Sequence, residues 1–276
     1  MVVGMARTIR NALSCARCVF WRSIVILFFD MSLAAATSAV RADDPPPSPP
    51  ALSAYCQVPA SDIATPEPLP HLAAALENQK TIKVLAIGSS STVGVGASAA
   101  SNGYPAQLEM ILEKIFKGVA IDVVNRGVSG EVAATTAERL KVEVALEQPD
   151  LVLWQLGTND ALARVPVEDF VETVKDTLQW LKDHQVDTVL VGLQFTPRAA
   201  KDEHYTAIRN ALRELAVSEN VLLVRRFEAM QFIERATQTN LLSGDDLHLN
   251  DLGYRCMAEH IARAVIVSTF LLKRPH

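Results

Sequence analysis

From Thr81 onward, short apolar, β-branched runs alternate with segments of helical period. That alternation restricts the fold more than any other property of the chain. The strand-like runs are Ile82–Ile87, Ala120–Val124, Leu151–Gln155, Thr188–Gly192 and Val221–Val224. Amphipathic stretches lie between them at Tyr104–Phe116, Val132–Glu147, Val167–Lys182 and Glu203–Ser218, and Leu252–Leu271 closes the chain. A helix-length segment after each strand is what a βαβ crossover needs, so the pattern predicts a parallel sheet with helices on both faces. Five strands so connected predict an α/β, three-layer flavodoxin-like sandwich in the order 2-1-3-4-5. No internal repeat or second domain is visible, and residues 81–276 are assigned to one domain.

The chain before that domain has a different character. Arg7, Arg10, Arg17 and Arg22 precede the apolar run Ser23–Phe29, and Val40-Arg-Ala42 stands just before Asp43-Asp44. A basic region, an apolar region and a small-x-small site read as a secretory signal over residues 1–42, which predicts an exported protein, periplasmic or secreted. The alternative is an uncleaved N-terminal anchor. Asp30 interrupts the apolar stretch and disfavours a spanning helix, so no stable membrane span is expected after cleavage. Residues 43–80 are rich in proline and are expected to form a linker or an arm over the domain.

Charge and cysteine use narrow the function. The whole chain carries −5, and residues 1–42 carry five arginines against one aspartate, a net +4, which leaves −9 on the rest. An acidic chain without a basic cluster is a poor nucleic-acid binder. Cys15 and Cys18 leave with the signal. Cys56 and Cys256 remain, and either they pair and staple the arm to the last helix or they stay as two thiols; sequence does not supply the distance that decides.

In an open parallel sheet the loops after the strands build the site. Here those loops read Gly88-Ser-Ser-Ser-Thr92, Asn125-Arg-Gly-Val-Ser-Gly130 and Gly157-Thr-Asn-Asp160, and Asp245-Asp-Leu-His248 precedes the last helix. Together they hold what acyl transfer requires. Ser90 is the candidate nucleophile, and its hydroxyl needs a base within hydrogen-bond reach. His248 is that base. Asp245, three residues earlier, is placed to take the other ring N–H, and the adjacent Asp246 is not excluded by spacing. The N–H groups of Ser90 and Gly130 and the amide of Asn159 are the candidate oxyanion donors. Each feature has a plainer reading alone, Asn159 as a turn former and Asp245-Asp246 as a helix cap. Four of them at the carboxyl ends of successive elements, in one chain order, are harder to ascribe to accident. Gln194, Thr196 and Arg198 follow the fourth strand at the same edge, and Trp154 reads as core.

These four blocks, in this order, resemble the SGNH hydrolase superfamily, the GDSL-type esterases and lipases. The resemblance covers Thr81 to the C-terminus, and Gly157-Thr-Asn-Asp160 is its most specific part. It implies a Ser-His-Asp esterase with no metal or cofactor, with Ser90, Asp245 and His248 as the triad and Ser90, Gly130 and Asn159 as the oxyanion hole. Expected substrates are small-molecule or glycan esters, such as O-acyl groups on glycans or small lipid esters. An O-acyltransferase using the same acyl-enzyme and a non-catalytic glycan-binding relative are the alternatives. One block departs from the pattern. Where the family has Gly-Asp-Ser-Leu, this chain has Gly88-Ser-Ser-Ser91, which makes Ser89 and Ser91 rivals to Ser90.

Overall fold

The computed structural model describes residues 47–271, and its sheet is built around the run Val84-Leu-Ala-Ile87. The strands are β1 (Ala64–Thr65), β2 (Thr81–Gly88), β3 (Ala120–Gly127), β4 (Leu151–Gln155), β5 (Asp187–Val191) and β6 (Leu222–Val224). Strands β2 to β6 are parallel and lie in the order β3-β2-β4-β5-β6, the expected 2-1-3-4-5 arrangement. The expected count of five strands needs correction, because the sheet has six. The extra strand, β1, comes from the proline-rich arm and pairs antiparallel with β6. Two residues are too few to show any alternation in sequence. The pairing arises because β6 would otherwise be an open edge, and the Arg225 N–H donates to the Ile63 carbonyl at 2.7 Å beside it.

Helices α1 (Ala60–Ile63), α2 (Pro70–Asn78), α3 (Ser90–Val93), α4 (Tyr104–Ile115), α5 (Ala133–Glu147), α6 (Thr158–Leu162), α7 (Val167–Asp183), α8 (Glu203–Ser218), α9 (Arg226–Thr237) and α10 (Asp251–Thr269) complete the fold. Helix α5 packs on α7 and α7 on α8, while α2 and α4 pack on α10, which gives two helical groups flanking the sheet. The central strands are therefore covered on both sides. Val84, Leu85, Ala86 and Ile87 are all buried, as are all five residues of β4, which is why these strands read as unbroken apolar runs. Helix α9 has no counterpart among the segments expected from sequence. Its buried Phe227, Met230 and Ile233 recur every three residues, a stripe short enough to pass for loop.

The leader assigned to residues 1–42 lies outside the described residues. The arm that follows packs on α10. Leu52, Cys56, Ile63 and Leu69 are buried, and Cys56 is bonded to Cys256, with Cα atoms 5.0 Å apart. The Ser53 N–H donates to Glu259 Oε2 at 2.7 Å. Burial pushes the His260 imidazole below its ordinary value and favours the neutral ring, whose Nε2–H donates to the Cys56 carbonyl at 2.8 Å. The bridge joins residues 200 apart in sequence, so it removes much freedom from the unfolded chain. Changing both cysteines to serine is expected to lower the unfolding free energy by about 2–5 kcal/mol. A urea midpoint that falls at constant slope would show it; an unchanged midpoint would mean that the bridge contributes nothing.

Candidate active site

The chain reverses its direction of winding between β2 and β4, and in such sheets ligands bind at the carboxyl ends beside that switch point. Ser90 follows β2 and Asn159 follows β4. Register aligns the ends: Ile87 lies opposite Trp154, and Gly88 opposite Gly127. Ser90 starts α3, a single turn closed by Gly94 at φ 93°. The turn fits only because β3 ends in glycine: a Cβ on Gly127 would collide with the Val93 nitrogen.

The structure brings three of the named side chains together. Ser90 Oγ is 3.0 Å from His248 Nε2, and His248 Nδ1 is 2.6 Å from Asp245 Oδ2. The same aspartate braces the loop that carries the histidine. Its Oδ1 accepts from the Leu247 N–H at 3.0 Å, the His248 N–H at 2.8 Å and the Ser243 hydroxyl at 2.8 Å. This set of donors, the His248 contact first, holds the Asp245 carboxyl far below the usual carboxylate range. Asp246 is exposed, with its backbone at φ 56°, and it is Asp245 that meets Nδ1. A serine near a histidine that is itself held by a carboxylate is an arrangement able to generate a nucleophile at neutral pH.

The rival serines are engaged elsewhere. Ser89 is buried, and both its N–H and its hydroxyl reach Gln155 Oε1, at 2.9 and 3.0 Å. Ser91 is buried, accepts from Arg226 Nη1 at 3.0 Å and donates to Gln194 Oε1 at 3.3 Å. The departure from Gly-Asp-Ser-Leu thus has a structural account, because both flanking hydroxyls are absorbed by buried polar partners.

The candidate oxyanion donors lie on the adjoining loops. Asn159 is half-buried and donates one Nδ2 hydrogen to the Glu131 carbonyl at 2.8 Å, which ties its amide to the residue after Gly130. The amide carries a second hydrogen. Gly130 is exposed at φ 85°, and a Cβ there would meet nothing within 4 Å, so the space beside it is open. Asp160 locks the two loops together. It is buried and accepts from the Ala133 N–H at 2.8 Å and the Gly157 N–H at 3.1 Å. Burial raises its pKa against the pull of those donors. Nothing in the sequence singles out Asp160 or Gln155: each is a polar residue inside or beside a motif, and Ala133 and Ser89, which they tie down, lie 27 and 66 positions away. Arg126 pairs with Glu143 and Glu147 at 2.8 and 2.6 Å. Among the described residues no group of three or more His, Cys, Asp or Glu side chains is arranged to hold a metal ion.

A model of the non-GDSL lipase-like family matches residues 55–269. An arylesterase from Vibrio mimicus is 24% identical over 191 residues, which cover 68% of this chain and 90% of that protein. Esterase TesA of Pseudomonas aeruginosa is 27% identical over 144 residues, covering 52% of this chain and 70% of that protein. A crystal structure of TesA matches the fold with a TM-score of 0.57 at 24% identity, over 66% of this chain and 97% of that one. The structure of a two-domain esterase active on acetylated mannans matches with a TM-score of 0.65 at 19% identity, over 77% of this chain and 57% of that one.

Proposed function

The chain belongs to the non-GDSL lipase-like family, and on that footing we propose that it is a serine esterase that hydrolyses carboxylic esters through Ser90, His248 and Asp245. The observation that carries this reading is the unbroken contact from Asp245 through His248 to the Ser90 hydroxyl, at 2.6 and 3.0 Å. Ser90 Oγ attacks the ester carbonyl while His248 Nε2 takes its proton. Asp245 accepts the Nδ1–H, keeps the ring in the productive tautomer and stabilises the imidazolium. The tetrahedral oxyanion is received by the N–H groups of Ser90 and Gly130 and by the second Nδ2 hydrogen of Asn159. His248 then protonates the departing alcohol. Water attacks the acyl-enzyme with the same histidine as base, releasing the acid and restoring the Ser90 hydroxyl.

The substrates proposed are O-acyl groups on glycans or small esters. Similarity to an arylesterase and to an esterase active on acetylated mannans supports that class. Export with loss of residues 1–42 is part of the proposal, and the Cys56–Cys256 bridge fits an oxidising compartment. Among the described residues no helix is long and apolar enough to cross a membrane. N-terminal sequencing of the exported protein tests the cleavage.

The activity is tested by acid release from aryl acetates and acetylated oligosaccharides, with and without an added sugar acceptor. Free acid as the product in both cases supports the hydrolase. Acyl transfer that dominates once acceptor is present would make the protein a transferase, and no turnover of any ester by folded protein would refute the reading. In the same assay Asn159→Ala is expected to lose about 10²–10³ in kcat, the usual effect of deleting one oxyanion donor. A loss below tenfold would remove Asn159 from that role.

A further inference from the structure

Arg226 is 3% exposed at the start of α9. No carboxylate pairs with it among the described residues; the ionisable groups near enough to influence it are Tyr104, Tyr205 and Tyr254. An isolated buried cation is costly and is kept only where it is well hydrogen-bonded. Arg226 Nε donates to the Gly192 carbonyl at 3.1 Å, and Nη1 donates to Ser91 Oγ at 3.0 Å, with Met257 Sδ at 3.7 Å. The hydrogen bonds the guanidinium makes therefore go to the end of β5 and to the residue beside Ser90, while Nη2 is buried without a partner.

A guanidinium only donates, and that fixes the direction of every bond beyond it. Ser91 Oγ must accept from Arg226, so its single O–H is free for Gln194 Oε1, at 3.3 Å. With its oxygen turned to Ser91, the Gln194 amide presents Nε2 to the Leu247 carbonyl, and these atoms are 2.5 Å apart. Leu247 is the residue before His248. Gln194 is itself 2% exposed and anchored at both backbone ends, its N–H to Thr158 Oγ1 at 3.3 Å and its carbonyl from the Tyr205 hydroxyl at 2.6 Å. The chain of donors runs from Arg226 through Ser91 and Gln194 to Leu247. It links the neighbour of the nucleophile to the neighbour of the base.

We propose that Arg226, Ser91 and Gln194 are positioning residues that hold the serine turn and the histidine loop at the separation which lets Ser90 Oγ meet His248 Nε2. Asp245 fixes the N–H side of the Leu247–His248 segment, and Gln194 fixes its carbonyl side. This inference rests on Ser90 as nucleophile and His248 as base. It also accounts for a serine at position 91, since an apolar residue there would leave Arg226 Nη1 and Gln194 Oε1 without the hydroxyl that joins them.

The test compares Ser91→Ala, Gln194→Met, Gln194→Glu and the Ser91→Ala/Gln194→Met double variant with wild type and with Ser90→Ala. The readouts are kcat and KM on an aryl acetate, the rate of covalent labelling by a fluorophosphonate, and the melting temperature. Small displacements of catalytic groups cost up to about a hundredfold. Each single variant is expected to lose about ten- to hundredfold in kcat and in labelling rate, with KM within about twofold. Gln194→Glu should fall with Gln194→Met, because a carboxylate cannot donate to the Leu247 carbonyl. Since all three groups form one path, the double variant should lose no more than the worse single. Ser91→Thr, which keeps the hydroxyl, should retain most of the rate. Wild-type labelling rates in folded Gln194→Met and Ser91→Ala, or losses that multiply in the double variant, would overturn the relay while leaving the catalytic reading intact. A folded wild type that the fluorophosphonate does not label would overturn the Ser90 reading and this inference with it.

Discussion

Alanine at position 90 is expected to abolish ester turnover, with a loss on the order of 10⁴-fold or more in kcat, while the protein stays folded. The magnitude is that expected for removing the proposed nucleophile from a triad and leaving only binding and oxyanion contacts. Specificity for this one serine of three follows from the contacts. Ser89 Oγ is given to Gln155, Ser91 Oγ lies between Arg226 and Gln194, and Ser90 Oγ faces His248. The fold should survive because Ser90 is half-buried and supports its turn through its carbonyl, which accepts from Gly94 and Val95 at 3.0 Å. Alanine keeps that carbonyl. Intact mass after fluorophosphonate treatment should show one adduct on wild type and none on Ser90→Ala. An adduct on both would move the nucleophile to another residue, and full activity in the variant would sink the assignment.

Asp245→Asn should lower kcat by about 10⁴-fold with the site otherwise in place. The reason lies in how the two carboxylate oxygens are used. Oδ1 accepts three hydrogen bonds, from Leu247, His248 and Ser243, and Oδ2 faces His248 Nδ1. An asparagine must put its oxygen where the three donors converge. Its NH₂ then points at Nδ1 and donates to it, which forces the ring proton onto Nε2. The lone pair that should take the serine proton is lost. Asp246→Asn, by contrast, should leave kcat within a few-fold.

The pH dependence of stability has a definite sign. Because folding lowers the Asp245 pKa far below the usual carboxylate range, its contribution is fully present above about pH 4, the ordinary value for an aspartate, and is lost progressively as pH falls from there through the lowered value. The difference in melting temperature between wild type and Asp245→Asn should therefore shrink as pH falls from about 4 into stronger acid. A difference that vanishes already at pH 5 would contradict this.

Much of the fold was legible because parallel sheets leave a local record. A strand buried on both faces must be apolar throughout, and Val84–Ile87 and Leu151–Leu153 are; the crossover helices show their period, and the order of the five parallel strands then follows from right-handed connections. Elements that fall below a turn or a few residues leave no such record. β1 is two residues of an arm whose prolines argue against a strand, and it exists because β6 offers an edge. Helix α9 shows only a brief apolar stripe, so nothing in the sequence marks Arg226 as buried.

The site divides along the same line. The residue types that acyl transfer would need, and most of their placement, were determined by the sequence alone: Ser90, Gly130 and Asn159 each lie in a loop that the strand pattern puts at the carboxyl edge of the sheet, and Asp245 and His248 stand together before the last helix. Tertiary structure decided every choice that depended on a distance between remote residues. It set Asp245 rather than Asp246 against His248, turned Ser89 and Ser91 inward, bonded Cys56 to Cys256, and placed Gln155, Gln194 and Arg226 behind the serine turn. Periodicity is a property of neighbours along the chain, whereas a hydrogen bond between residues 66 or 135 positions apart, as from Ser89 to Gln155 or from Arg226 to Ser91, exists only once the sheet has brought its strand ends together.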